Sequence, residues 1–177
     1  MRKNNLIAVT ILLASTVIYF SCQKEISQIQ KQQEEVSSAS GNANSETPPF
    51  NLEVILRGES NRFGHVKFRQ DVDPEKIIVL GTWVRDLEPN HNYLLQRAVD
   101  AINVVDGNCT STSWLTLGKG LTPQSILTDD NGTGNEELWR NVSMVPSGST
   151  FDIHFRVVDA TNMRVVLTSD CYQYVVR

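Results

Sequence analysis

From residue 50 onward, apolar and polar residues alternate along most of the chain, the period-two signature of strands with one buried face. Phe50, Leu52, Val54 and Leu56 alternate with Asn51, Glu53 and Arg57, and Val66 and Phe68 with His65, Lys67 and Arg69. Residues 76–84 are nearly continuously apolar through Ile77, Ile78, Val79, Leu80 and Trp83, which predicts a central strand covered on both faces. Residues 113–117, 138–145, 150–158 and 164–176 are further strand candidates, separated by turns rich in Gly, Asn, Asp and Pro. The cleanest alternation sets Phe151, Ile153, Phe155 and Val157 against Asp152, His154 and Arg156, and the short link at 159–163 makes the last two strands a hairpin. Residues 93–99 fit a strand, but Leu94, Ala98, Ala101 and Ile102 also fit a helical spacing, and both assignments stay open. The expected fold is all-β, a single antiparallel β-sandwich of about seven or eight strands spanning 50–177.

Composition changes sharply before residue 50. Gln, Glu, Ser, Asn and Lys dominate 23–49, with almost nothing to bury between Gln28 and Glu35 or between Ser37 and Asn44. Such a segment reads as a flexible, disordered tether, and about 27 residues of it would span on the order of 30 Å. Ile26, Ile29 and Val36 are too sparse to carry more than a short coiled-coil contact. Pro48 and Pro49 end the tether stiffly.

At the start of the chain, Arg2 and Lys3 precede an apolar run from Leu6 to Phe20, followed by Ser21 and Cys22. The segment Val17-Ile18-Tyr19-Phe20-Ser21-Cys22 resembles the lipobox of bacterial lipoproteins. In that family a signal peptidase cuts before a cysteine whose sulfur carries diacylglycerol. Small Ser21 fits the pattern, whereas Tyr19 stands where such motifs prefer Leu. The resemblance implies a signal peptide at 1–21, a lipid on Cys22 and an acylated tether at 22–49. The apolar run, about 15 residues, is shorter than the roughly 20 that span a bilayer as a helix. Several acyl chains on one cysteine would hold the protein firmly on a membrane surface. Gln23-Lys24-Glu25 lacks the Asp after cysteine that marks inner-membrane retention in the family, which implies an outer-membrane lipoprotein on its periplasmic or cell-surface side.

The whole chain carries a net charge of −4, and losing Arg2 and Lys3 with the signal segment makes it two units more negative. Nucleic-acid binders carry basic stripes to neutralise phosphates, so this balance argues against nucleic acid. It gives no electrostatic reason to lie on anionic lipid either, leaving the lipid as the membrane contact.

The run Leu87-Glu88-Pro89-Asn90-His91-Asn92-Tyr93 is similar to the tyrosine corners of immunoglobulin-like and fibronectin-type domains, which supports the architecture and is silent on activity. With Cys22 acylated, Cys109 and Cys171 remain, an even pair expected to oxidise outside the cytoplasm. No close Cys-x-x-Cys spacing suggests redox chemistry. A sandwich with its last strand tied to an earlier loop is similar in outline to copper-zinc superoxide dismutase. That family uses a His-x-His pair and further histidines, whereas this chain has only His65, His91 and His154, far apart and unpaired. The expected metal ligands are absent, and no cofactor is implied.

Asp129, Asn131, Thr133 and Asn135, with Gly132 and Gly134 between them, resemble the first half of a calcium loop, but Arg140 stands where the bidentate glutamate belongs. A plain turn between strands is the simpler reading. No Gly-x-Ser-x-Gly, phosphate-loop or His-Glu-x-x-His motif occurs, and Glu136 and Glu137 alternate sides on a strand. No catalytic residue is assigned. The remaining candidates are aromatic: Trp114, Trp139, Tyr172 and Tyr174 fall on polar strand faces, where flat rings flanked by hydroxyls and amides suit a sugar or a partner protein unless strand twist, a loop or the second sheet covers them as core, which is the simpler reading. The expected function is that of a membrane-anchored envelope lipoprotein with a non-catalytic binding or structural module, its partner a glycan or an envelope protein. An enzyme with a site of scattered residues is the alternative.

Overall fold

The structure is a computed structural model that describes residues 49–177; the expected signal segment, Cys22 and all but the last residue of the tether lie outside the described residues. The described part falls within one compact unit, Thr47–Arg177. It is all-β, with strands β1 (Phe50–Arg57), β2 (Phe63–Gln70), β3 (Ile77–Arg85), β4 (Asn92–Val99), β5 (Leu115–Thr116), β6 (Gly118–Lys119), β7 (Thr122–Pro123), β8 (Ser125–Leu127), β9 (Gly134–Asn141), β10 (Thr150–Asp159), β11 (Val165–Ser169) and β12 (Tyr172–Val175).

All twelve strands belong to one sheet, which nearly closes into a barrel, in place of the two facing sheets of the expected sandwich. β1, β2, β3 and β9 run antiparallel as neighbours over almost their full lengths. β4 and β10 form the other antiparallel wall. The two walls are joined by β11, which pairs with β10 and reaches β1 only at Leu56↔Ser169 and Arg57↔Thr168. On the far side, closure rests on the isolated bridge Thr128↔Gly134 and on one parallel pair, Lys119↔Trp139.

The strand number exceeds the expected seven or eight because some strands are broken. β11 and β12 both lie along β10, separated at Asp170 and Cys171, where the sequence pattern ran on through 164–176. β5 and β8 both lie along β4, and the β6–β7 hairpin sprouts between them. Gly118 makes that excursion possible, since a Cβ there would sit 1.9 Å from the Thr122 carbonyl oxygen. The strand expected over 113–117 therefore shrinks to two residues, and the one over 138–145 starts earlier and stops at Asn141.

Period-two alternation fills the interior. Val54 and Leu56, Val66 and Phe68, Leu95, Leu138, Phe155, Val157 and Leu167 are all at most 2% exposed. Phe68 is the hub of an aromatic cluster, edge-on to Phe50, Phe155 and Tyr174. Residues 92–99 are a strand, which closes the question left open by their helical spacing. β3 corrects a second expectation. It is not covered on both faces: Ile78, Leu80, Thr82 and Val84 point inward, while Trp83 is 36% exposed. A single sheet curled on itself has only one interior, so the outer apolar residues of β3 pack on strand neighbours, as Trp83 does edge-on to Phe63.

Cys109 and Cys171 are bonded, closing a stretch of 62 residues and fixing the break between β11 and β12 to the long loop after β4. The turn before β4 folds as its likeness to a tyrosine corner implies. Tyr93 is 2% exposed, and its hydroxyl accepts a 3.0 Å hydrogen bond from the Glu88 amide.

Candidate functional site

Of the four aromatic candidates, the structure leaves one open to solvent. Tyr174 faces the core at 4% exposure, where its hydroxyl donates to Gln70 Oε1 at 2.7 Å, and burial pushes its pKa up. Tyr172, two residues earlier on the same strand, also packs against the core, and its hydroxyl accepts from the Ile55 amide at 3.1 Å. The face shared by these two rings is the inner one, contrary to expectation, because β12 extends the wall made by β10. Trp114 lies on the outer side of β10 as expected, but it is half-buried. The Arg156 guanidinium stacks 4.0 Å over its ring, and the His154 ring lies 4.6 Å away. Arg156 is held in turn by Gln96 Oε1 at 2.8 Å. These contacts clamp the long loop after β4 onto the barrel.

Trp139 is 40% exposed on the outer face of β9, beside Val79 of β3. One end of its ring rests on Gly120, where a Cβ would come within 2.8 Å and where φ is +68°. The Gly120 amide donates to the Trp139 carbonyl and its carbonyl accepts from Arg140 Nη1, so the β6–β7 hairpin is seated against β9 at three points. Trp83, missed as a candidate because 76–84 read as a doubly covered strand, is the second exposed indole of this face. It lies four residues along β3 from Val79, so the two indoles stand about 13 Å apart along the sheet. Gly81 lies between them, and a Cβ there would meet nothing closer than Lys67 Cβ at 3.8 Å. The result is a flat strip bounded by two rings, with Lys67 and Glu137 beside Gly81 in register. The clue in the sequence was Gly81-Thr82, which interrupts the apolar run and gives β3 an inside and an outside.

The polar clusters hold loops. Asp152, 1% exposed, accepts the amides of Asp106 and Gly107 through Oδ2. Asp100 accepts the amides of Thr110 and Ser111, and the Thr110 amide above all holds its carboxyl below the usual range. Asp159 accepts from the Thr161 hydroxyl at 2.6 Å and its amide at 2.8 Å, with His91 Nε2 3.0 Å away but poorly aligned for a hydrogen bond. The Thr161 hydroxyl, followed by His91, holds the Asp159 carboxyl far below its ordinary pKa.

The calcium-like turn follows the same plan. Asp129 Oδ1 accepts the amides of Asn131 and Thr133, and Asp130 Oδ1 accepts from Asn90. Asn135 opposes Trp83 on the outer face of β9. The three histidines stay apart: His65 pairs with Glu53, His91 faces Asp159, and His154 Nε2 stands 3.0 Å from the Ser111 carbonyl oxygen. Among the described residues, no three of His, Cys, Asp and Glu converge as a metal site.

No family model, curated protein sequence or solved structure matches the chain.

A cavity of about 80 Å³ opens at the end of the barrel where β2 ends and β3 begins. Its walls include Phe68, Ile78, Leu117 and Phe151. Two arginines, Arg97 on β4 and Arg140 on β9, line the cavity among these apolar residues. Arg97 takes the inward position between Leu95 and Val99 and opposes buried Phe155, while Arg140 follows buried Leu138 by two residues. Burial, followed by the nearby charge of Arg140, pushes the Arg97 pKa down.

Proposed function

We propose that the protein is a cell-envelope lipoprotein, held at the outer membrane through lipid on Cys22. Its barrel, doing the work an immunoglobulin-like sandwich does elsewhere, is a non-catalytic module that binds a glycan or another envelope protein. The observation that carries the binding role is the outer strip of β3 and β9, where Trp83 and Trp139 expose their rings on either side of Gly81. Rings on rigid strands bring a large contact area at little entropic cost, and their spacing suits an extended ligand that lies along the sheet.

The carboxylates support the absence of acid–base work. Asp100, Asp129, Asp152 and Asp159 each accept backbone amides that shape loops. Those with a shifted pKa, Asp100 and Asp159, are shifted downward, which keeps them ionised and unsuited to protonating a leaving group.

The test is glycan-array and envelope-pulldown binding by the 46–177 fragment, alongside Trp83→Ala and Trp139→Ala. Both variants should stay folded and lose binding together; Trp83→Ala should keep its stability within about 1 kcal/mol, whereas Trp139→Ala, whose ring seats Gly120, should lose more. Binding retained by the double variant would remove this face from the function.

A further inference from the structure

Among the described residues, the two arginines at the open end of the barrel have no counter-charge. Neither Arg97 nor Arg140 forms an ion pair with a carboxylate among the described residues, and Arg140's one side-chain bond is its 3.2 Å donation to the Gly120 carbonyl. Elsewhere in this barrel several charged and polar groups do find partners, although Gln70 Nε2, Asp152 Oδ1 and Arg177 Nε are buried without one among the described residues. Lys119 sits 2.7 Å from Glu136, and Gln70 accepts from both Tyr174 and the Arg177 amide. Two like charges sharing one apolar recess work against the fold, because each is partly stripped of water and repels the other. Water alone compensates that poorly, whereas an anion does so directly. A guanidinium offers a planar fork of donors matched to a carboxylate, and the apolar walls would take an uncharged body.

We propose that this cavity is a binding site for a small apolar monocarboxylate, with its carboxylate between Arg97 and Arg140 and its hydrocarbon part against Ile78, Leu117 and Phe151. Size narrows the class. The cavity holds about 80 Å³, about half of the roughly 150 Å³ of an engineered cavity that accepts benzene, so the ligand is a short acid with a hydrocarbon part of about three carbons. The site lies inside the barrel, on the opposite face of β9 from Trp139.

Butanoate is the probe, with butanamide as its uncharged counterpart and sulfate as an anion without an apolar body. Each is titrated into the 47–177 unit and followed by calorimetry and by amide and methyl chemical shifts. Butanoate should bind at least tenfold more tightly than either control and shift the methyl signals of Ile78, Leu117 and Val142. Arg97→Met and Arg140→Gln should each weaken it at least tenfold. Two variants guard against one failing to fold, and the unliganded Arg97→Met protein should melt no lower than the parent, since it loses an uncompensated charge. Equal binding of butanoate and butanamide, sulfate binding as tight as butanoate, or unchanged affinity in both variants would overturn the assignment. So would loss of butanoate binding in a chain beginning at Gln23, which would give the cavity to the protein's own tether.

Discussion

At the scale of single residues, hydroxyls and carboxylates near the barrel ends fix the loops, and they make the most direct predictions. Tyr93→Phe keeps the ring in the core and removes the acceptor for the Glu88 amide, so it should cost about 1–2 kcal/mol in urea unfolding. Asp159 governs acid behaviour. Its folded-state pKa lies below the unfolded value of about 4, so the folded protein resists its protonation. The stability it adds is complete above that unfolded value and is lost as pH falls through the folded one. Asp159→Asn should therefore narrow the gap in unfolding midpoint between neutral and strongly acidic solution, and an unchanged gap would show that other carboxyls set the acid limb. Little of this was legible in the sequence. Tyr93 could be read because proline, turn and tyrosine sit together in seven residues. The partners of Asp100 and Asp152 depend on how a long loop lies against β10, which no local pattern encodes. Tyr172 and Tyr174 look like a polar face because Thr168 and Asp170 share their parity, but the break at Cys171 turns the rings inward.

At the scale of elements, strand positions followed the alternation closely, and the departures have local causes. β3 reads as doubly buried because Ile77, Val79 and Trp83 extend the apolar run onto an outer face that no second layer covers among the described residues. β5 to β8 were not legible as pieces, since their break depends on a hairpin that leaves the wall to sit on β9. Gly120 is the hinge of that contact. Gly120→Val would put a branched side chain at positive φ against the Trp139 ring, and it should cost at least about 1–2 kcal/mol and shift the tryptophan emission. An unaltered spectrum would mean that the hairpin is not seated on Trp139. The disulfide acts on a larger element. Replacing Cys109 and Cys171 by serine frees a stretch of 62 residues and should lower stability by about 2–5 kcal/mol. A reduced protein as stable as the oxidised one would show that the loop after β4 is held by Asp100, Asp152 and the Trp114–Arg156 contact without the disulfide.

At the scale of the whole molecule, the all-β class was legible and the closure was not. Period two tells which residues share a face, but it does not say whether the faces belong to two sheets or to one sheet curled on itself. The same limit hid the inward arginines. Arg97 and Arg140 occupy apolar parity positions, a mismatch visible in the sequence only once the strands and their inner faces are assigned. Placement at the cell boundary rests on the first 22 residues, and the envelope role of the barrel depends on it. Intact-mass spectrometry of the protein extracted from its own membranes tests that placement most directly. The account predicts a polypeptide that begins at Cys22 and carries diacylglycerol in thioether linkage. An unacylated chain that still retains residues 1–21 would contradict it.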